Sequence, residues 1–79
     1  MELNEIIDLI SKSFAPYRCV AEPTDIFEDK IRFRVFGKDN TKIFTLLDWP
    51  IDNIKSEQDL KSLVETCKIE IRKKGFKID

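Results

Sequence analysis

From Lys30 to Leu47 the chain reads KIRFRVFGKDNTKIFTLL, in which apolar side chains alternate with basic or polar ones, stop at a polar tetrad, and resume. Period-two alternation puts successive side chains on opposite faces of an extended strand, so this run predicts two antiparallel strands joined by a short turn. If Asp39 and Asn40 form the tip, Phe36 faces Ile43, Val35 faces Phe44, Arg34 faces Thr45 and Phe33 faces Leu46. Ile31, Phe33, Val35, Phe44 and Leu46 then share one face. A slip of one residue would turn Phe44 outward and make a poorer core, so the hydrophobic pattern favours this register.

A two-stranded hairpin needs something to cover its apolar face. Leu3, Ile6, Ile7, Ile10 and Phe14 recur at helical spacing with Glu2, Glu5, Asp8 and Lys12 on other faces, which predicts an amphipathic helix ended by Pro16. YRCVAE follows as a short strand, with Cys19 and Ala21 inward and Arg18, Val20 and Glu22 outward. PTDIFED is a turn-rich connection whose Ile26 and Phe27 either fold beneath it or join a contact surface. After Leu47, DWPIDNIK reads as loop or irregular turn. Ser56 is then a suitable N-cap with Asp59 three residues on, close to a capping box. Leu60, Leu63, Val64, Cys67 and Ile71 mark the buried stripe of a second helix, and Gly75 suits a left-handed cap over which Phe76 packs. The predicted fold is α+β, a three-stranded antiparallel meander with two helices packed on one face in the order αβββα. It forms a single domain over residues 1–79.

A chain of 79 residues buries only about 60% of the surface its unfolded form exposes, so the core is small. With 42% hydrophobic residues it still has enough apolar surface to offset the entropy of ordering. MELNEIIDLI is acidic and interrupted by Asp8, unlike a signal or transit peptide, and no run is apolar enough to span a bilayer. A soluble, cytoplasmic protein with no membrane contact is therefore expected. Cys19 and Cys67 are expected as reduced, buried thiols. No metal or cofactor is expected, since the chain has no histidine and its cysteines lack the close spacing of a zinc site.

Charge is unevenly placed. Two basic side chains stand against seven acidic ones from Met1 to Asp29, five against one from Lys30 to Leu47, and seven against seven from Asp48 to Asp79. The hairpin is the basic part, and such a local field attracts anionic groups on a partner. The basic cluster Arg72, Lys73, Lys74 and Lys77 lies near a helix C-terminus, where the backbone dipole favours positive charge. It reads as a solvated helix end.

The face opposite the predicted core displays Arg32, Arg34, Phe36, Ile43, Thr45 and Leu47, together with Arg18, Val20 and Glu22. This is more apolar than a solvated sheet face normally is, because Val20, Phe36, Ile43 and Leu47 each forgo about 1.5 to 3 kcal/mol of burial. One reading is that twist, arginine stems and the C-terminal tail cover part of it. The other is a protein-binding face, most simply a two-fold homodimer, with Arg32, Arg34, Phe36, Ile43 and Leu47 as interaction residues and guanidinium groups pairing with carboxylates such as Glu22. Single-stranded nucleic acid is the alternative partner, held by the arginines with Phe36 as a stacking platform. Against it stand the single outward aromatic, the missing glycine-rich aromatic signature and the near-neutral overall charge.

Catalysis is not expected. No histidine, phosphate loop or activated nucleophile is present, and Asp25 with Glu28 or Glu28 with Asp29 read as solvated loop charges. Trp49 before Pro50 serves either as a surface recognition element or as a cap on the core. SFAPYRCVAEP, two strands separated by GKDN, and DLKSLVETCKIEIRKKG together resemble small uncharacterised proteins of γ-proteobacteria. The likeness rests on Phe14, Pro16, Tyr17, Pro23, Leu60 and Gly75. It implies the helix, three strands, helix order and a bacterial protein, with no activity, cofactor or catalytic residue.

Overall fold

A computed structural model describes residues 2–24 and 29–78. Asp25, Ile26, Phe27 and Glu28 lie outside the described residues. The elements follow in the order α1 (Leu3–Lys12), β1 (Arg18–Pro23), β2 (Lys30–Phe36), β3 (Lys42–Pro50), one 3-10 turn (Ile51–Asn53) and α2 (Glu57–Lys73). The strands form one antiparallel meander in the order β1-β2-β3. This is the α+β arrangement that the hydrophobic periodicity demands.

In α1, Ile6 and Ile10 fall on one stripe and are fully buried, and Phe14, just past the helix, lies beneath them against Phe33 with ring centroids 5.4 Å apart. Ile7 sits at the margin of that stripe, half-buried. α2 buries Leu60, Leu63, Val64, Cys67 and Ile71, a single stripe at spacings of three and four, as the 3.6-residue turn requires. The Ser56 side chain accepts the Asp59 N–H at 3.3 Å, and the Asp59 carboxylate accepts the Lys55 N–H at 3.0 Å, so two otherwise unpaired donors are satisfied reciprocally. At the other end Gly75 takes φ +94°, a conformation that a side chain disfavours, and its N–H reaches the Arg72 carbonyl while that of Phe76 reaches Ile71.

The centre of the β2–β3 ladder has the register set by the apolar faces: Phe33 opposite Leu46, Arg34 opposite Thr45 and Val35 opposite Phe44. Next to the turn it departs from the sequence expectation, since Phe36 pairs with Lys42 and not with Ile43. The turn is the cause. Asn40 adopts φ +64°, the Asn40 N–H meets the Gly37 carbonyl at 3.0 Å, and the Gly37 N–H meets the Thr41 carbonyl at 2.8 Å, closing a three-residue loop over Lys38 to Asn40. Such a loop is one residue out of step with the apolar register. β3 absorbs the difference as a bulge at Ile43. Ile43 thereby leaves the alternation and turns into the core, with only 5% of its surface exposed. Its expected place on the outer face is corrected accordingly.

A second irregularity lies between Phe33 and Ile31, whose partners are Leu46 and Trp49. Asp48, at φ +54°, occupies the extra position. By stepping one residue the strand resumes pairing, so Asp48, Trp49 and Pro50 belong to β3 and not to the loop expected after Leu47. The Ile51 N–H to Asp29 carbonyl bond, 2.9 Å, extends the ladder beyond its end.

Cys19, Ile31, Phe33 and Val35 from the sheet join the buried stripes of both helices in one cluster, with Ala21, Phe44, Leu46 and Trp49 packed against it. The helices thus share one face of the sheet. Ile78 is also buried there, its carbonyl held by Arg72 Nε at 3.0 Å, and Phe76 meets Tyr17 edge-on at 6.3 Å. The C-terminal tail is therefore folded onto the core side, away from the outer face.

Candidate interaction surface

The surface left by this packing is built from alternate residues of the three strands. Cross-strand pairing fixes its rows: Arg18, Phe36 and Lys42 form one, Val20, Arg34 and Thr45 the next, and Glu22 and Arg32 a third. Leu47 lies on β3 beyond Thr45, at the alternate position. Opposed residues in such rows stand close enough for their side chains to interact, so the pattern of charge along each strand decides what the face presents.

Glu22 is the centre of its charge. Arg32 donates from Nε to Glu22 Oε1 at 2.7 Å, its Nη2 lies 2.7 Å from the same oxygen, and Arg34 Nη1 stands 3.8 Å away. With these side chains a third or more exposed, solvent screens the pairing and limits its worth to about 1 kcal/mol or less. Arg18 stacks its guanidinium over Phe36, 4.4 Å from the ring centroid, and donates to Asn40 Oδ1 at 3.5 Å. Lys42 adds a fourth cation at the rim, a member of the face that strict alternation assigns inward; the bulge turns it out. Four cations, Arg18, Arg32, Arg34 and Lys42, therefore share these rows with Glu22, and of them Arg32 and Arg34 lie within 4 Å of its carboxylate.

Of the five interaction residues expected from sequence, Arg32, Arg34, Phe36 and Leu47 share this face and Ile43 does not. Leu47 is 61% exposed and Val20 39% exposed, whereas Phe36 is half-covered by Arg18. The face is less apolar than the alternation implied, since one of its four large apolar members is in the core and another is sheathed by a guanidinium group.

The remaining chemistry lies elsewhere. Trp49 packs against the core as a cap, and its indole N–H is buried without a hydrogen-bond partner. Burial pushes both thiols up to about 12, with a further push on Cys19 from Cys67 and on Cys67 from Glu70. Both are free cysteines. Asp39 is held below its ordinary value because its carboxylate accepts the Thr41 N–H at 3.1 Å, which pins the turn. A groove of about 760 Å³ runs along the helices, touching Leu9, Lys61, Glu65 and Ile69, and one of about 450 Å³ lies between β3 and α2. Among the described residues no cluster of three metal-ligating side chains occurs, and no helix is long and apolar enough to cross a membrane. No protein-family model, curated protein or solved structure matches this chain.

Proposed function

We propose that this chain is a small protein-interaction module without enzymatic activity, and that it associates with a second copy of itself through its uncovered sheet, by the outer face or by an edge strand. The observation that carries this reading is the exposure, among the described residues, of Leu47 and Val20 on the sheet face opposite the helices and Ile78, interspersed with arginines. Apolar side chains left in water are a reserve of association energy, and arginine among them adds charge-assisted contacts at low entropic cost. Face and edge are continuous, because Val20 lies on the outermost strand β1.

The excess of cations favours a second reading, in which the same face binds single-stranded nucleic acid. Its stacking platform is compromised, since Arg18 already occupies the Phe36 ring. Solution mass measured against protein concentration tests the first reading: the mass rises from 9.3 kDa towards twice that value, and a constant 9.3 kDa at every concentration rejects it. Binding of a single-stranded oligonucleotide that falls steeply with salt, and is lost in the double variant Arg32→Glu, Arg34→Glu, supports the second reading instead.

A further inference from the structure

The two edges of the sheet are not equivalent, and the difference selects one mode of self-association. β3 carries two bulges, ends at Pro50, which lacks an N–H, and has its Ile43 carbonyl occupied by Lys74 Nζ at 2.8 Å. Bulges, proline and lysine are the features that block strand addition. β1 has no bulge and no lysine: its ladder runs from Arg18 opposite Phe36 to Pro23 opposite Ile31 without irregularity, and its one proline, Pro23, stands at the far end, beyond the Cys19 to Ala21 stretch.

The direction of the β1 backbone groups follows from one hydrogen bond. Thr24 N–H reaches the Lys30 carbonyl at 3.1 Å, so Thr24 faces β2. Alternate residues of an edge strand turn their N–H and C=O groups to the same side, which gives those of Glu22, Val20 and Arg18 to β2 and those of Cys19 and Ala21 to the open side. Among the described residues no turn, loop or cap takes up the Cys19 and Ala21 groups.

Resting on the self-association reading, we propose that two copies join β1 to β1 in antiparallel fashion about a two-fold axis at Val20, making one continuous sheet. Cys19 of each copy then opposes Ala21 of the other, and each pair exchanges both of its backbone hydrogen bonds. Val20 meets Val20 on the axis as a non-hydrogen-bonded pair, with Cα atoms about 4.5 Å apart. On the outer face Arg18 of each copy opposes Glu22 of the other, at both ends of the junction.

Charge complementarity selects this register. A shift of two residues one way places Glu22 opposite Val20 and wastes a hydrogen bond on Pro23; a shift the other way places Arg18 opposite Val20. Neither pairs opposite charges. Glu22 is available for the added contact, since its bonds to Arg32 and Arg34 converge on Oε1, and Arg18 has only the exposed 3.5 Å contact to Asn40 and its stacking to give up.

Two experiments test the register. Under mild oxidation Val20→Cys forms a covalent dimer at least about tenfold faster than Leu47→Cys, because a Cα separation near 4.5 Å lies within disulfide range only at the axis. Arg18→Glu and Glu22→Lys each lose the dimer when alone, by setting like charges opposite each other twice, and form it when mixed, because both cross-strand pairs are then restored. If the wild-type protein dimerises but Val20→Cys links no faster than Leu47→Cys and the charge variants behave as wild type, the β1 junction is wrong and self-association stands. If the wild-type protein stays at 9.3 kDa, both fall.

Discussion

Replacing Ile43 by alanine separates a bulged β3 from a simply alternating one. Ile43 is 5% exposed and belongs to the continuous core with Phe33, Val35 and the helices. The truncation removes about three methylene-sized groups, worth about 0.8 kcal/mol each in transfer, and leaves a cavity that the core only partly closes, so the expected loss is about 2 to 4 kcal/mol. A chain of this length has a total stability of about 4 to 12 kcal/mol, so the loss is a large share of it. In urea the midpoint should fall by about 1 to 3 M with an unchanged slope, read from helical circular dichroism. Leu47→Ala, at a position 61% exposed, serves as the control and should cost less than about 0.5 kcal/mol. An Ile43→Ala variant as stable as the Leu47→Ala control would place Ile43 on the outer face and refute the bulge.

Three further outcomes follow from the local chemistry. Ser56→Ala removes the acceptor of the Asp59 N–H and should cost about 1 kcal/mol in urea unfolding, whereas Ser56→Asp should retain most of it; equal losses in both would deny the cap its role. The Asp39 carboxyl, followed by chemical shift, should titrate below its ordinary 3.8. Because its folded value is depressed, its support of the turn is present above the unfolded value and lost as pH falls through the folded one, and a midpoint at or above 3.8 would contradict the hydrogen bond to Thr41. With thiol values pushed up to about 12, Cys19 and Cys67 should resist a thiol reagent at pH 8 in the native protein and both react once it unfolds; rapid labelling of the folded protein would show them accessible.

Much of the architecture was legible because each element has one apolar stripe. The α2 positions Leu60, Leu63, Val64, Cys67 and Ile71 can meet a sheet only from one side of a helix, and Ser56 and Gly75 mark its ends by backbone requirements of their own. The middle of the hairpin was legible for the same reason, since Phe33, Val35, Phe44 and Leu46 admit one register. What the alternation could not disclose was the competition at its ends. A three-residue loop closed by Asn40 in the left-handed region is favourable locally and out of step globally, and the extra residue it forces into β3 is Ile43. Asp48 does the same at the other end, where a polar residue before Trp49 and Pro50 reads as the start of a loop. At the outer face, exposure was overestimated because a strand pattern does not reveal that Arg18 lies across Phe36. The charge symmetry of RCVAEP was in plain view, yet it acquires meaning only once β1 is placed at an edge of the sheet with regular pairing to β2.

Amide hydrogen exchange at residue resolution, measured at rising protein concentration, bears most directly on the claim that this sheet is completed by a second copy. In the separated chain Val20 and Glu22 are protected by β2 while Cys19 and Ala21 face the open side. Self-association through β1 expects Cys19 and Ala21 to gain protection in step with dimer formation, with Val20 and Glu22 nearly unchanged. Exchange at Cys19 and Ala21 that does not vary with concentration, in a protein whose mass does, would put the contact elsewhere on the molecule.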